Sequence, residues 1–310
     1  RTAQPMKPPT PQDIDEQVIP AARNKGMYEQ EQDDGGGIIA GNDNKPQEVE
    51  EIVGDNIKIA QPLIPAFGEF TIKKLFSKNW SNRENAVIEV EQTLLSNPDS
   101  DTVTAALGVA AQGIKDKIHQ VVIKSFDLIS SVLASYQDPA PSNANFYIDE
   151  ITSNLVNRVG DNNARVREKA LEIGIELSAH PMGGHHIIVD HLTRKVGKKQ
   201  GQSVRQLAGK YKLLSEILIN TPITKPGEQK QWINFAVSGF KNSSKEVRDN
   251  AYDCIIELYR VMGSSIKKFL DDLRPAQLEI LEKGFNDVDG IDPDMEEQEQ
   301  KPKVTVETNI

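Results

Sequence analysis

The sequence predicts an all-α solenoid of six stacked antiparallel helix pairs between two disordered flanks. Three observations predict it. The first is a recurring valine-arginine pair with alanine three residues after the arginine. It stands as Val166-Arg167-Glu168-Lys169-Ala170, Val204-Arg205-Gln206-Leu207-Ala208 and Val247-Arg248-Asp249-Asn250-Ala251. A fourth copy, Asn82-Arg83-Glu84-Asn85-Ala86, carries asparagine for valine, and a worn fifth fits Val121 to Ser125. Starts at 82, 121, 166, 204 and 247 give spacings of 39, 45, 38 and 43. A repeat of roughly 40 residues is the register of stacked helix pairs, the HEAT/armadillo class. The second observation is the absence of strand signals between copies. The third is composition: 310 residues, 37% hydrophobic and 5% aromatic, with mean hydropathy −0.48. That is too polar for one large globular core and suits a thin stack with loose ends.

Residues 1–66 hold Pro5, Pro8, Pro9, Pro11 and Pro20, the acidic run Glu29 to Asp34 and the triplet Gly35-Gly36-Gly37. Scattered apolar residues cannot offset the ordering entropy, so this stretch reads as a disordered acidic linker. Within it, Ile52 to Pro65 is more apolar and is the part expected to dock on the first helices. From Phe67 the 3.6-residue period begins. The pairs are placed at 67–77 with 81–96, 101–114 with 117–136, 145–159 with 163–180, 184–197 with 202–220, 228–240 with 244–262, and 264–272 with 275–285. Ser81 with Glu84 and Ser243 with Glu246 have capping-box spacing. Asp101 and Asp161 are expected caps, and Pro275 suits a first helical position. Pro139, Pro141, Pro222 and Pro226 mark longer connections. The domain is expected to span 67–290 and the disordered acidic tail 291–310.

Charge is unevenly placed. Residues 1–66 carry 6 basic and 12 acidic side chains, residues 67–290 carry 28 of each, and residues 291–310 carry 2 and 6. A neutral folded part argues against nucleic acid as partner, since such domains are basic. No apolar run approaches the length of about 20 residues that a membrane span needs, and no signal peptide is visible. The lone Cys254 cannot form an internal disulfide and fits a reducing compartment. The chain opens on Arg1 rather than methionine, which predicts a piece of a longer protein.

Stacking repeats places the turns within the pairs along one edge. The motif's alanine is expected where two helices approach closely, and its valine in the core. Its arginine has two readings: a brace to an aspartate of the same or the adjacent turn, as the offset of Asp161 and Arg167 suggests, or a ligand contact. The first turn, Ser77-Lys78-Asn79-Trp80-Ser81-Asn82-Arg83, is different. Trp80 reads either as a staple packing on the fourth helical position, Asn85, or as a binding anchor. Asparagine is a poor staple partner, which favours the anchor. The other turns supply Lys115 and Lys117, then Asn162, Asn163 and Arg165, then Lys198 and Lys199, then Lys241 and Lys245. Together they form a basic strip with one aromatic, suited to an acidic protein surface.

Tryptophan in Ser-Lys-X-Trp at the first turn, six helix-pair repeats and basic turns resemble a TOG (tumour-overexpressed-gene) domain. Phe67-Gly68-Glu69, the run Phe76 to Glu84, Gly160-Asp161-Asn162-Asn163-Ala164-Arg165, Phe235-Ala236-Val237-Ser238 and the closing Gly284-Phe285 to Asp289-Gly290 narrow it. They are similar to the branch of this family found in 104-kilodalton centrosomal proteins of ciliary tips. The resemblance implies αβ-tubulin or microtubules as partner, engaged along the turn edge of a TOG-like paddle. It implies Trp80 as the anchor on β-tubulin and Arg248 as the basic contact towards α-tubulin. Lys78, Asn162, Asn163, Lys198 and Lys241 carry over more weakly, and Arg83, Arg165, Lys199 and Lys245 share the edge. It also implies a cytoskeletal setting at cilium tip, basal body or centriole, with other ciliary or centriolar partners held by regions absent from this chain.

The rival reading is a HEAT scaffold that binds peptide or protein partners through its helix faces. Enzymatic readings find no footing: no phosphate loop, nucleophile elbow or paired carboxylates occur, and no cofactor is expected. His180, His185, His186 and His191 gather around one turn, but no cysteine or carboxylate completes a zinc spacing. The sequons at Asn79 and Asn242 mean little in a cytosolic chain. Gln17-Val18-Ile19-Pro20 lacks the serine or threonine of an end-binding-protein motif.

Overall fold

The structure, a computed structural model, describes residues 49–194, 203–221 and 226–290. Its elements are α1 (Asn56–Ala60), α2 (Ile64–Phe67), α3 (Glu69–Leu75), α4 (Trp80–Ser96), α5 (Ser100–Gly113), α6 (His119–Ser135) and α7 (Asn145–Arg158). There follow α8 (Ala164–Ala179), α9 (His185–Thr193), α10 (Val204–Asn220), α11 (Pro226–Phe240), α12 (Lys245–Met262), a 3₁₀ helix (Gly263–Phe269) and α13 (Pro275–Asp289). No strand occurs among the described residues. None of these helices is long and apolar enough to cross a membrane.

Five α-helix pairs stack in sequence order: α3 with α4, α5 with α6, α7 with α8, α9 with α10, and α11 with α12. The second helices α4, α6, α8, α10 and α12 pack as one layer, and α5, α7, α9 and α11 as the other. The sixth unit departs from expectation. Its first member is the 3₁₀ helix, which follows α12 directly at Gly263, where φ is +57°. Pro275 does open α13 at its first position.

The core runs between the layers. Ala86, Ala170, Ala208 and Ala251, the motif alanines, are all buried. In the worn copy, Ser125 takes the alanine position, buried and bonded to the Val121 carbonyl at 2.8 Å. A Cβ on Gly113 would collide with its hydroxyl, so the α5–α6 crossing admits only small residues. Val121, Val166 and Val247 enter the core, but Val204 is exposed. It is the first residue of α10, whereas the other valines lie at the third position of their helices.

The caps differ from the expected ones by one or two residues. Asn79 rather than Ser81 caps α4, accepting from the Ser81 amide at 3.0 Å. Asp99 rather than Asp101 caps α5, taking the Thr102 amide at 2.8 Å. Asn163 rather than Asp161 caps α8, and Ser244 precedes α12 without a side-chain bond, so no box forms at Ser243 and Glu246. In α4 and α5 an Asn or Asp two residues upstream of the expected residue took the cap, and in α8 an Asn two residues downstream. All are good capping residues, and the tertiary path of the turn chose between them.

The packed chain starts upstream of Phe67. Ala60 and Leu63 are buried, Ile52 and Ile64 lie against the core, and α2 packs on α5. The expected docking of Ile52 to Pro65 is therefore observed. The remainder of the acidic linker, and the tail, lie outside the described residues.

Candidate functional site

The first, third and fifth turns between first and second helices are built alike. In the first, Ser77 Oγ donates to Glu50 Oε2 at 2.8 Å and accepts from the Asn79 amide (3.2 Å) and Asn82 Nδ2 (3.1 Å). The Ser77 hydroxyl is the main cause holding the Glu50 carboxyl below its usual range. Arg83 sits at the fourth position of α4, and its Nη1 donates to the carbonyls of Ser77 (2.9 Å) and Lys78 (3.1 Å). Arg167 and Arg248 occupy the fourth positions of α8 and α12 and do the same. Arg167 Nη1 takes the carbonyls of Asp161 (2.8 Å) and Asn162 (2.9 Å), and Arg248 Nη1 those of Asn242 (2.9 Å) and Ser243 (2.7 Å). Arg83, Arg167 and Arg248 therefore each reach back six and five residues and tie their own turn.

The expected ion pair of Asp161 with Arg167 is not formed. Asp161 Oδ2 accepts instead from Arg158 Nη1 at 2.7 Å, while Arg167 takes the aspartate's backbone carbonyl. The reason is reach. Arg158 is one helical turn before Asp161, whereas Arg167 descends from the next helix onto the bend itself.

Other side chains lace neighbouring turns together. Arg83 Nε and Nη2 fork onto Asp116 of the second turn at 2.6 and 2.9 Å. Arg158 spans from the third repeat to the carbonyls of Ile114 and Asp116. Asn163 Nδ2 donates to His119 Nδ1 at 3.1 Å, and Arg205 Nη1 to Asn162 Oδ1 at 2.8 Å. Burial pushes both Asp116 and Asp161 upward. In Asp116 the Arg83 fork and the Ile118 amide outweigh it, in Asp161 the Asn163 amide and Arg158, and both carboxyls end below their usual range. The first three turns and the start of α10 thus form one hydrogen-bonded row.

Against that frame the expected site residues divide. Trp80 is the first residue of α4, not the residue before its cap, so the staple geometry does not arise. Its side chain is 42% exposed. The other tryptophan, Trp232, is buried at the α11 core with His185 edge-on at 5.6 Å. Lys78 is exposed beside Trp80, within electrostatic reach of Glu50. Arg165 is exposed and makes no hydrogen bond or ion pair with the described residues. Lys245 pairs with Asp249 at 2.6 Å, and Lys241 stands 4.0 Å from Asp272. Arg83, Arg248, Asn162 and Asn163 are engaged in the frame. Lys115 pairs with Glu150, and Lys117 is exposed. Lys198 and Lys199 lie outside the described residues.

Sequence reasoning missed Asp116 and Arg158 as parts of this edge and gave Ser77 no role in the first turn that it opens. Arg158 was detectable, since a basic residue three before an aspartate at a helix end pairs readily. The four histidines take different partners: His191 bonds Asp149 at 2.8 Å, His180 accepts the Met182 amide, and the His185 and His186 rings meet edge-on at 6.1 Å. Among the described residues no group of three or more His, Cys, Asp or Glu is placed to hold a metal.

A stack of helix pairs whose turns align on one braced edge, the first bearing an exposed tryptophan, is the architecture of a TOG domain. A family model described as the TOG domain of centrosomal protein CEP104 matches residues 58–254, and the chain belongs to that family. The human centrosomal protein of 104 kDa is 24% identical over 277 residues, which is 84% of this chain and 30% of that protein. The chain thus spans under a third of that relative's length. The solved TOG domain of human Cep104 is similar in fold, with TM-score 0.62 and 23% identity, covering 79% of this chain and all of that one. A further TOG structure, described for the tubulin-binding specificity that promotes microtubule dynamics and mitotic spindle formation, has TM-score 0.59 and 14% identity. It covers 74% of this chain and 86% of that one.

Proposed function

We propose that the turn edge binds αβ-tubulin, with Trp80 as its anchor, and that the domain acts as a non-enzymatic microtubule-regulating module. The observation that carries this is the position of Trp80. A large aromatic at the first helical position, outside the core and without a capping role, has no packing reason to be there. Tryptophan buries much area at the loss of few rotamers, the profile of a hot spot. Lys78, Arg165, Lys241 and Lys245 extend from the same row of turns and would steer an acidic partner. Arg248 keeps its Nη1 on the turn carbonyls, so any contact towards α-tubulin would use the rest of its guanidinium. The tubulin-binding TOG relative and the centrosomal relatives support this reading and a setting at centriole, basal body or cilium tip.

Co-elution of the full chain with tubulin dimer at low salt tests it. Trp80→Ala is expected to cost about 2 kcal/mol, roughly thirtyfold in affinity, against about 0–1 kcal/mol for Lys78→Ala. Binding unchanged in both Trp80→Glu and Arg248→Glu would place the tubulin site elsewhere.

A further inference from the structure

The far ends of the second helices carry a pattern that the turn edge does not use. The end of each carries an exposed apolar residue: Leu95 in α4, Ala134 in α6, Ile219 in α10 and Val261 in α12 at the next-to-last position, and Ala179 at the last position of α8. Leu95 and Ile219 are each 59% exposed and Val261 44%. Single exposed apolar residues are normal on any surface, but one within the last two residues of each of five stacked helices makes a row. Neighbouring contacts hold that row together. Ser131 of α6 donates to Glu91 of α4, and Ser130 to Glu176 of α8, one helical turn before the apolar positions. Between α6 and α8 the row opens into an apolar cleft of about 410 Å³, lined by Leu133, Ala134, Glu176, Ala179, His180 and Pro181 among others.

Beside the apolar row runs a line of carboxylates. Glu91, Glu176, Glu216 and Glu257 lie three or four residues before Leu95, Ala179, Ile219 and Val261, on the same helix faces. Helix C-termini carry partial negative charge and favour lysine or arginine in their last turn. Here α4, α6, α8 and α10 have none there, and α12 has only Arg260, which pairs with Glu257. The carboxylates also crowd: burial, then Asp249, Glu257 and Glu216, push the Asp253 carboxyl up. The rim is therefore apolar and acidic, with Arg260 the one cation in the last turns of these five helices.

We propose that this rim is a second binding surface, which receives a basic amphipathic helix of a partner protein laid across the ends of the second helices. The spacing supports a helix. Packed helices stand about 8–10 Å apart, and seven residues of α-helix advance about 10.5 Å. Apolar residues at heptad spacing would thus meet the row one by one, and a helix of about 28 residues would span all five. Lysines or arginines flanking that seam would face the glutamates. The chain's own flanks do not fit the charge: residues 1–66 hold 6 basic and 12 acidic side chains, and residues 291–310 hold 2 and 6. The surface lies at the opposite ends of these helices from Trp80 and does not depend on the tubulin reading.

The test uses the full chain and a fluorescent synthetic helix of about 28 residues, with leucine at heptad positions and lysine beside them. Anisotropy should show saturable, salt-sensitive binding. Ile219→Ser with Val261→Ser, and separately Glu176→Gln with Glu216→Gln, should each weaken it at least about tenfold, with thermal unfolding unchanged. Trp80→Ala should leave it intact. No saturable binding at high micromolar peptide would overturn the proposal. So would equal binding of a peptide of the same composition with its leucines moved off the heptad, or by the Ile219/Val261 double variant. Loss of binding in Trp80→Ala would move the peptide to the turn edge. A dimer of the chain that the double variant dissolves would assign the rim to a second copy instead. Either result refutes it.

Discussion

Arg83→Ala is the most informative test of how the edge is built. In the folded chain Arg83 and Asp116 keep only 19% and 11% of their side chains exposed and meet through two parallel bonds. The remaining nitrogen holds two carbonyls of the first turn. Removing the guanidinium leaves a carboxylate in a partly buried site that has only the Ile118 amide and backbone to stabilise it. Breaking a fully buried pair costs about 3–5 kcal/mol, and hydrogen bonds to charged groups contribute about 1.5–3. Residual exposure of both partners puts the cost at about 2–3 kcal/mol. For a domain of this size that is a fall in Tm of roughly 5–10 °C. Arg83→Lys should recover only part, since lysine keeps the charge and loses the fork. The sign with pH is set by Asp116, whose folded pKa lies below its ordinary 3.8. The stabilisation is present above the unfolded value and is lost as pH falls through the folded one. The gap between wild type and Arg83→Ala should therefore be full at pH 7 and close below about pH 4. Urea denaturation across pH, with the Arg83→Ala/Asp116→Ala double-mutant cycle, measures it. A coupling energy under about 0.5 kcal/mol, or a gap independent of pH, would refute the bracing role.

Three further outcomes follow from the same packing. Trp80→Ala should leave Tm within about 1 °C while weakening tubulin co-elution, because its ring contributes little to the core; a matching loss of stability would make it a packing residue. Gly209→Ala should destabilise by about 1–3 kcal/mol in thermal unfolding, since its Cβ would strike the Val159 backbone carbonyl, which cannot rotate aside. Lys210 is buried at 3% exposure, and burial holds its ammonium below the usual 10.5. The unfolded chain binds that proton more readily, so stability should rise as pH climbs from the lowered value towards 10.5. Lys210→Met should be more stable at pH 7 and should flatten that slope.

The sequence carried the fold because the repeat is a packing constraint. Alanine must stand at residues 86, 170, 208 and 251 for the helices to meet, and such positions leave a period. The worn copy was legible for the same reason, since Ser125 meets the same limit of size. The caps were less legible. Asn79, Asp99 and Asn163 compete with nearby serine and aspartate of similar propensity, and the winner depends on how each turn crosses to its neighbour. Trp80 was expected just before the cap and instead follows it as the first residue of α4, because the Ser81 box hid the Asn79 cap. The arginines were half legible: bracing was foreseen for Arg167, but its acceptor is a pair of carbonyls, which leave no trace in side-chain identity. The bonds that join one repeat to the next, such as Arg83 to Asp116 across 33 residues, have no local signal at all.

The arginine ties also set what this edge can tolerate. In the first, third and fifth turns the bend is held through backbone carbonyls by a residue already inside the next helix. The outward side chains at residues 78, 80, 165, 241 and 245 contribute little to keeping the loop shut. Mutation can therefore exchange them one at a time with small cost to folding, so the chemistry displayed along this edge is free to drift while the rail that carries it stays fixed.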